Sequence, residues 1–401
     1  MKKAFAASTC ALFASLAVCG ASAQNVKPFR IGVLNDQSSV YSTIGGKGAQ
    51  LAVEMAVADF GGKVLGRPIE VLSADHQNKV DVATGIAREW MESKDVQAIF
   101  DLQNSAVALA VIPLVQKANR IAIVSGGASS EITGKACTPV SFHWTYDTYS
   151  LSRVLPRALI ASGKKNWYLI DSDYAAGAAL ERDVAGAVEQ FGGKVVGKVK
   201  VPLGATNFAS TMLAAQGSKA DVIMLGGAGA DLINQVKQAR EFGISEQQVL
   251  ATPYANIIDV HALGLAAAQG LYVSEPFYWD LNDETRAWSK RFIAKMGVPA
   301  TSFQAGNYSA ALHYLKAVAA AGTSDGLKVA DAMRRMPIND MMTKNGQIRA
   351  DGRVVRDLYL FQVKSPAKSK YKFDYYETRA TVAGADAFRP LAESECPLVK
   401  R

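Results

Sequence analysis

Val96-Gln97-Ala98-Ile99-Phe100-Asp101-Leu102 is a short, largely apolar run, and it passes through Gln103-Asn104 into a helix-length stretch from Ser105 to Lys117. A brief apolar segment bounded by polar turn residues reads as a buried strand, and the longer one that follows reads as a helix. Working outward, the alternation repeats. Upstream lie strands at Arg30 to Leu34 and Ile69 to Ser73 with helices at Gly48 to Asp59 and Val80 to Met91; downstream a strand runs from Arg120 to Ser125. Strands alternating with helices imply βαβ units and a parallel sheet.

The pattern restarts after Trp144, with strands at Trp167 to Asp171, Lys194 to Val201, Asp221 to Leu225 and Val249 to Ala251, and helices at Ala175 to Phe191, Phe208 to Gln216 and Asp231 to Phe242. A strand from Gly270 to Ser274, the aromatic segment Phe277-Tyr278-Trp279, helices at Asp283 to Lys295 and Ser302 to Ala320, and a strand from Leu358 to Val363 follow. These late elements are too few for a third domain. They are expected to complete the two earlier lobes by crossing back. The predicted fold is α/β: two similar doubly wound lobes with parallel-sheet cores, the first from residues 27–145 plus 278–345 and the second from 146–277 plus 346–401.

Composition agrees with a globular chain. Of 401 residues, 49% are hydrophobic and 20% charged, and the 33 Gly and 13 Pro are scattered, which excludes a disordered, fibrous or coiled-coil chain. Lys2 and Lys3 precede an uncharged stretch that closes on Ala21-Ser22-Ala23, the pattern of a secretory signal peptide over residues 1–23. A lipoprotein reading would use Cys19, but Val18 before it is not small. Cys10 and Cys19 leave with the signal, so the mature chain keeps Cys137 and Cys396, an even pair that suggests one disulfide in an oxidising compartment. The net charge of +8 is mild, and nucleic acid is a poor partner for an exported protein.

Enzymatic machinery is not found. His76, His143, His261 and His313 show no metal-ligand spacing. Gly46-Lys47-Gly48 and Gly227-Ala228-Gly229 each begin G-x-G, but Leu51 and Leu232 stand where a dinucleotide fingerprint needs its third glycine. Asp171 and Asp173 flank a strand end and are expected to cap the next helix. No cofactor and no metal site is expected.

Two junctions suit an anion, because a helix N-terminus offers unpaired N–H groups and the positive end of its dipole. One is Leu102-Gln103-Asn104-Ser105. The other is Ser125-Gly126-Gly127-Ala128-Ser129-Ser130, whose glycines let a ligand approach the backbone. With Phe29 to Val33, the loop holding Tyr41, the Gly45-Gly46-Lys47-Gly48-Ala49 helix start, the Gly61-Gly62 turn, Asp173-Tyr174 with Gly177, and Gly226-Gly227, these come in an order that resembles the type I periplasmic solute-binding proteins of ABC transporters, in the branched-chain amino-acid-binding family. The resemblance runs from about Phe29 to Val399.

That resemblance implies two lobes joined by three crossovers, with a ligand enclosed by hinge closure. It implies a carboxylate site at Asn104, Ser105, the backbone of Gly126 and Ala128, and Ser129, with Tyr174 over the ligand and Tyr41 at the cleft mouth. Amino-acid binders of the family place an acid for the ligand ammonium after the strand Val249 to Ala251, where this chain reads Thr252-Pro253-Tyr254-Ala255. The expectation is therefore a monomeric, non-catalytic periplasmic receptor delivering a small carboxylate, an aromatic acid, to ABC permease subunits, with Tyr254 and Phe277 among the ligand residues. The alternatives are a branched-chain amino-acid or amide binder of the same family, an exported α/β hydrolase, and a sensing module for a membrane receptor.

Overall fold

The computed structural model describes residues 26–400 together with Met1, and the expected signal peptide beyond Met1 lies outside the described residues. The first lobe holds β1 (Phe29–Asn35), β2 (Lys63–Val64), β3 (Arg67–Asp75), β4 (Val96–Asp101), β5 (Ile121–Val124) and β6 (Ser141–His143), in the order β2-β3-β1-β4-β5-β6. All pairings but β2–β3 are parallel. Every residue of β4 and β5 is buried, as strands covered on both faces must be. Successive side chains leave opposite faces. Ala98 and Phe100 of β4 join Phe29, Ile31 and Val33 under the helices Gly46–Phe60 and Ser302–Ala321. Ile99 goes to the other face, under the helices Val80–Glu92 and Ser105–Lys117. On that face Gly32 is required, because a Cβ there would fall 2.2 Å from the Trp90 ring.

The second lobe holds β7 (Asn166–Ser172), β8 (Lys194–Val201), β9 (Val222–Gly226), β10 (Val249–Thr252) and β11 (Tyr272–Glu275). After the hairpin β12 (Gln347–Ile348) and β13 (Val354–Val355), it is completed by β14 (Leu358–Val363) and β15 (Tyr376–Val382), in the order β15-β14-β11-β10-β9-β7-β8. β7 to β11 pair in parallel, and β14 and β15 extend the sheet antiparallel. The chain crosses between lobes at Trp144–Asp147, Pro276–Asn282 and Arg356–Asp357. The last crossing comes later than the boundary expected at residue 345, because bridges from His143 to Arg353 and from Ile338 to Gly346 hold the hairpin on the first lobe.

Beyond β15 the tail lies first on the second lobe, where Arg389 reaches Asp183, and then on the first, where Glu395 pairs with Lys135. Cys396 and Cys137 form a disulfide with their Cα atoms 5.7 Å apart. The tail is thus a fourth link between the lobes. Among the described residues no helix is long and apolar enough to cross a membrane.

Candidate functional site

The C-terminal ends of both sheets face one cleft. On the first-lobe side β4 ends at Asp101, and Asp101 and the following Leu102 have φ of 75° and 45°, left-handed values that cost a non-glycine residue about 1–2 kcal/mol each. The bend turns Gln103 toward Tyr41, whose carbonyl accepts from the Gln103 amide at 2.9 Å. Asn104 then caps the helix, its Oδ1 accepting from the N–H groups of Ala106 and Val107 at 2.7 and 3.2 Å. Ser105 Oγ accepts from the N–H groups of Ala128 and Ser129 at 2.9 and 3.1 Å, bracing the glycine loop. The Asp36 carboxylate accepts from the N–H of Tyr41 at 2.9 Å and of Ser39 at 2.8 Å, which folds that loop so that Tyr41 enters the cleft.

From the second lobe come Tyr174, at the start of the helix Ala175–Gln190, with Ala228 and Tyr254 from the loops after β9 and β10. The Tyr41 hydroxyl donates to that of Tyr174 across the cleft at 2.8 Å. A second contact between lobes lies beside it, where Arg182 meets Glu131 and the Ser130 hydroxyl donates to Asp183, both at 2.7 Å. Burial first, and then the neighbouring phenol, push Tyr41 well above the usual tyrosine range; burial raises Tyr174 to about 12. Both phenols stay neutral.

Between these walls lies a cavity of about 20 Å³, room for about one water. Five of the expected residues line it: Tyr41, Gly126, Ala128, Tyr174 and Tyr254. Ile44, Gln103, Tyr146, Ala228 and Phe303 complete it, and no charged side chain among the described residues does so. Tyr146 and Phe303 pack with ring centroids 5.5 Å apart. These two come from the first crossover and from a distant helix, and nothing in the local sequence marks them. The Tyr254 hydroxyl is buried without a hydrogen-bond partner.

The remaining expected residues are placed differently. Asn104, Ser105 and Ser129 are buried behind the wall as caps and braces. The N–H of Gly126 is engaged by the Asp101 carbonyl and that of Ala128 by Ser105, so the expected backbone cradle is closed in this state. Phe277 is not brought to the cleft: it packs edge-on against Trp288 at 6.2 Å, while Tyr278 and Trp279 both donate to the Phe373 carbonyl. Asp171 does not cap the next helix, whose N-cap position is Tyr174 with no side-chain cap. It is fully buried, neither carboxylate oxygen has a partner, and burial lifts its pKa to about 8. Gly46-Lys47-Gly48 opens the helix Gly46–Phe60 and serves packing, since a Cβ on Gly48 would meet the Gln304 amide at 2.2 Å.

Two sheets, three crossovers and a closed cleft with a pocket between them define a two-lobed solute-binding protein. The chain belongs to the periplasmic binding protein family, whose pattern matches residues 28–370. It is similar to a periplasmic binding protein from Burkholderia mallei, at 43% identity over 93% of this chain and 100% of that one, with a TM-score of 0.91. It is also similar to a branched-chain amino-acid ABC transporter periplasmic ligand-binding protein from Burkholderia xenovorans LB400, at 41% identity over 93% and 100%, with a TM-score of 0.85. A solute-binding protein of an ABC transporter from R. palustris, solved in complex with benzoate, shares the fold at 20% identity over 89% and 96%, with a TM-score of 0.81. None of the curated proteins matches the chain.

Proposed function

We propose that the protein captures an aromatic carboxylate without an ammonium group in the interlobe pocket and delivers it to the permease of an ABC importer, performing no chemistry on it. The observation that carries this reading is the lining: four tyrosines and a phenylalanine, with no acid to pair an ammonium. An enclosed cation without a partner costs several kcal/mol, which disfavours an amino acid. A flat ring gains broad contact with the tyrosines, each aromatic pair adding about 0.5–1.5 kcal/mol. The carboxylate is held by neutral donors. The Tyr254 hydroxyl has no other partner, the Tyr41–Tyr174 pair opens to donate, and the dipole of the helix Ser105–Lys117 favours negative charge. The closed pocket is too small for such a ligand, so the lobes part to admit it and close around it by hinge motion.

A second reading takes a branched-chain amino acid, as the name of the Burkholderia xenovorans protein suggests. Asp231 would then meet the ammonium. It is buried and accepts from the Gly204 N–H at 2.9 Å, but it does not line the pocket.

Calorimetry with benzoate-type acids against leucine, isoleucine and valine separates the two. We expect saturable binding of an aromatic acid, weakened about tenfold in Tyr254→Phe, the equivalent of one lost hydrogen bond of about 1.4 kcal/mol. Tight leucine binding with no response to any aromatic acid would overturn the reading.

A further inference from the structure

A second cavity, of about 380 Å³, lies where the crossovers run. Its wall combines Phe277 and Asn282 of the second crossover, Thr343 and Lys344 of a first-lobe loop, and Arg356 of the third crossover, with Ala383 to Ala385 at the start of a short second-lobe helix completing it. Arg356 is only 5% exposed, and all three guanidinium nitrogens are sealed from solvent without a hydrogen-bond partner. Thr343 is 4% exposed, and its Oγ1 also lacks a partner.

The other charges around the cavity are committed. Lys344 pairs with Glu284. Asp340 attracts Arg356 through space, but its oxygens accept from Ser309 and from the N–H groups of Met342 and Thr343. Asp357 is exposed at the rim and accepts from the Gly384 N–H at 3.1 Å. Burial lowers the Arg356 pKa to about 10, which still leaves it charged at neutral pH. A buried cation whose five donors are all unmatched calls for an anion, and its planar fork suits an oxyanion held by two parallel bonds.

We propose that this hinge cavity binds a small oxyanion, a carboxylate or an inorganic one, on the Arg356 guanidinium with the Thr343 hydroxyl as second donor. The guanidinium turns toward the open space to meet it. Because the wall is drawn from two crossovers and both lobes, the bound anion ties the hinge segments together and stabilises the folded chain.

The test follows the thermal midpoint of the full chain at fixed ionic strength as chloride is replaced by phosphate, sulfate, acetate or malonate, which separates inorganic from carboxylate ligands. We expect a saturable rise with one of these groups, abolished in Arg356→Met and shifted at least tenfold in midpoint concentration in Thr343→Val. Should Arg356→Met fail to fold, Arg356→Lys keeps the charge without the fork and is expected to weaken binding at least tenfold. Tyr254→Phe is expected to leave the rise unchanged, so the outcome is independent of the interlobe ligand. No saturable rise with any anion, a rise that survives both Arg356 substitutions, or one lost in Tyr254→Phe would each overturn the proposal.

Discussion

Asp101 closes β4 in the first lobe and Asp171 sits near the end of β7 in the second, and each carboxyl lies against a glycine on a neighbouring strand end. A Cβ on Gly126 would fall 3.1 Å from Asp101 Oδ1, and one on Gly226 would fall 2.5 Å from Asp171 Oδ1. Both acids are fully buried, yet burial lifts Asp101 only to about 6 and Asp171 to about 8. The difference lies in their donors and in a neighbouring charge, since the Glu181 carboxylate raises Asp171 further. Asn35 Nδ2 donates to Asp101 Oδ2 at 2.9 Å, which lowers its pKa, whereas neither oxygen of Asp171 accepts a hydrogen bond. A donor to the ionised form offsets part of the cost of burying it; without one, the group stays protonated at neutral pH. The lobes repeat one architecture, but the first carries a strained strand end and a partnered acid, and the second an unstrained end and a lone one.

The largest test cuts the link that the tail makes between the lobes. The disulfide closes a loop with a sequence separation of 259 residues, and chain entropy assigns such a loop about 5.5 kcal/mol. Cys137→Ser with Cys396→Ser is expected to lose most of that in denaturant unfolding. Two reactive thiols in the denatured, unreduced wild type would show that the link does not form.

The next test sharpens the contrast between the two acids. Both have a folded-state pKa above the usual 3.8, so the folded chain keeps protons that the unfolded chain releases, and stability falls as pH rises. The window runs from about 4 to about 8 for Asp171 and from about 4 to about 6 for Asp101. Asp171→Asn should remove that loss and gain about 3 kcal/mol at pH 9 relative to pH 4. That is roughly half of what four pKa units at about 1.4 kcal/mol each would give, because relaxation and water entry reduce the burial penalty. Asp101→Asn should gain about 1 kcal/mol. Equal gains in urea titrations at the two pH values would break the comparison.

The smallest effect is at the contact between lobes. Tyr41→Phe removes the hydroxyl bond to Tyr174 and should cost about 1 kcal/mol of closure. A larger radius of gyration in ligand-free scattering checks this. An unchanged radius would assign closure to Arg182, Glu131 and Asp183 instead.

Much of the fold is legible in the sequence because its strands and helices are strongly periodic. Lys194 to Val201 and Leu358 to Val363 are strands as read, and Asp283 to Lys295 is a helix that continues to Met296. The helix Thr148–Ala161 is not among the helices read from the sequence. Nor is the helix Gly326–Arg335, and the short strand β6 is not among the strands. In the site, Gly126 and Ala128 stand at a strand-to-helix junction that the sequence marks, because such junctions in a parallel sheet all open at one end, whereas Tyr41, Tyr174 and Tyr254 could be named only through the family resemblance.

The sequence by itself determined the alternation of elements, the two lobes and the junctions that face the cleft, because these depend on periodicity and turn chemistry within short windows. Tertiary structure alone decided what each junction does. Ser105 became a brace because Ala128 and Ser129 came within reach. Tyr146 and Phe303 entered the pocket from elements far apart in the chain, and Phe277 left it for Trp288. Asp171 exchanged capping for burial because β9 lies beside it with Gly226 at its end. Which neighbour a side chain meets across a sheet or a hinge depends on contacts many residues away, and no local pattern encodes the donor that one acid finds and the other lacks.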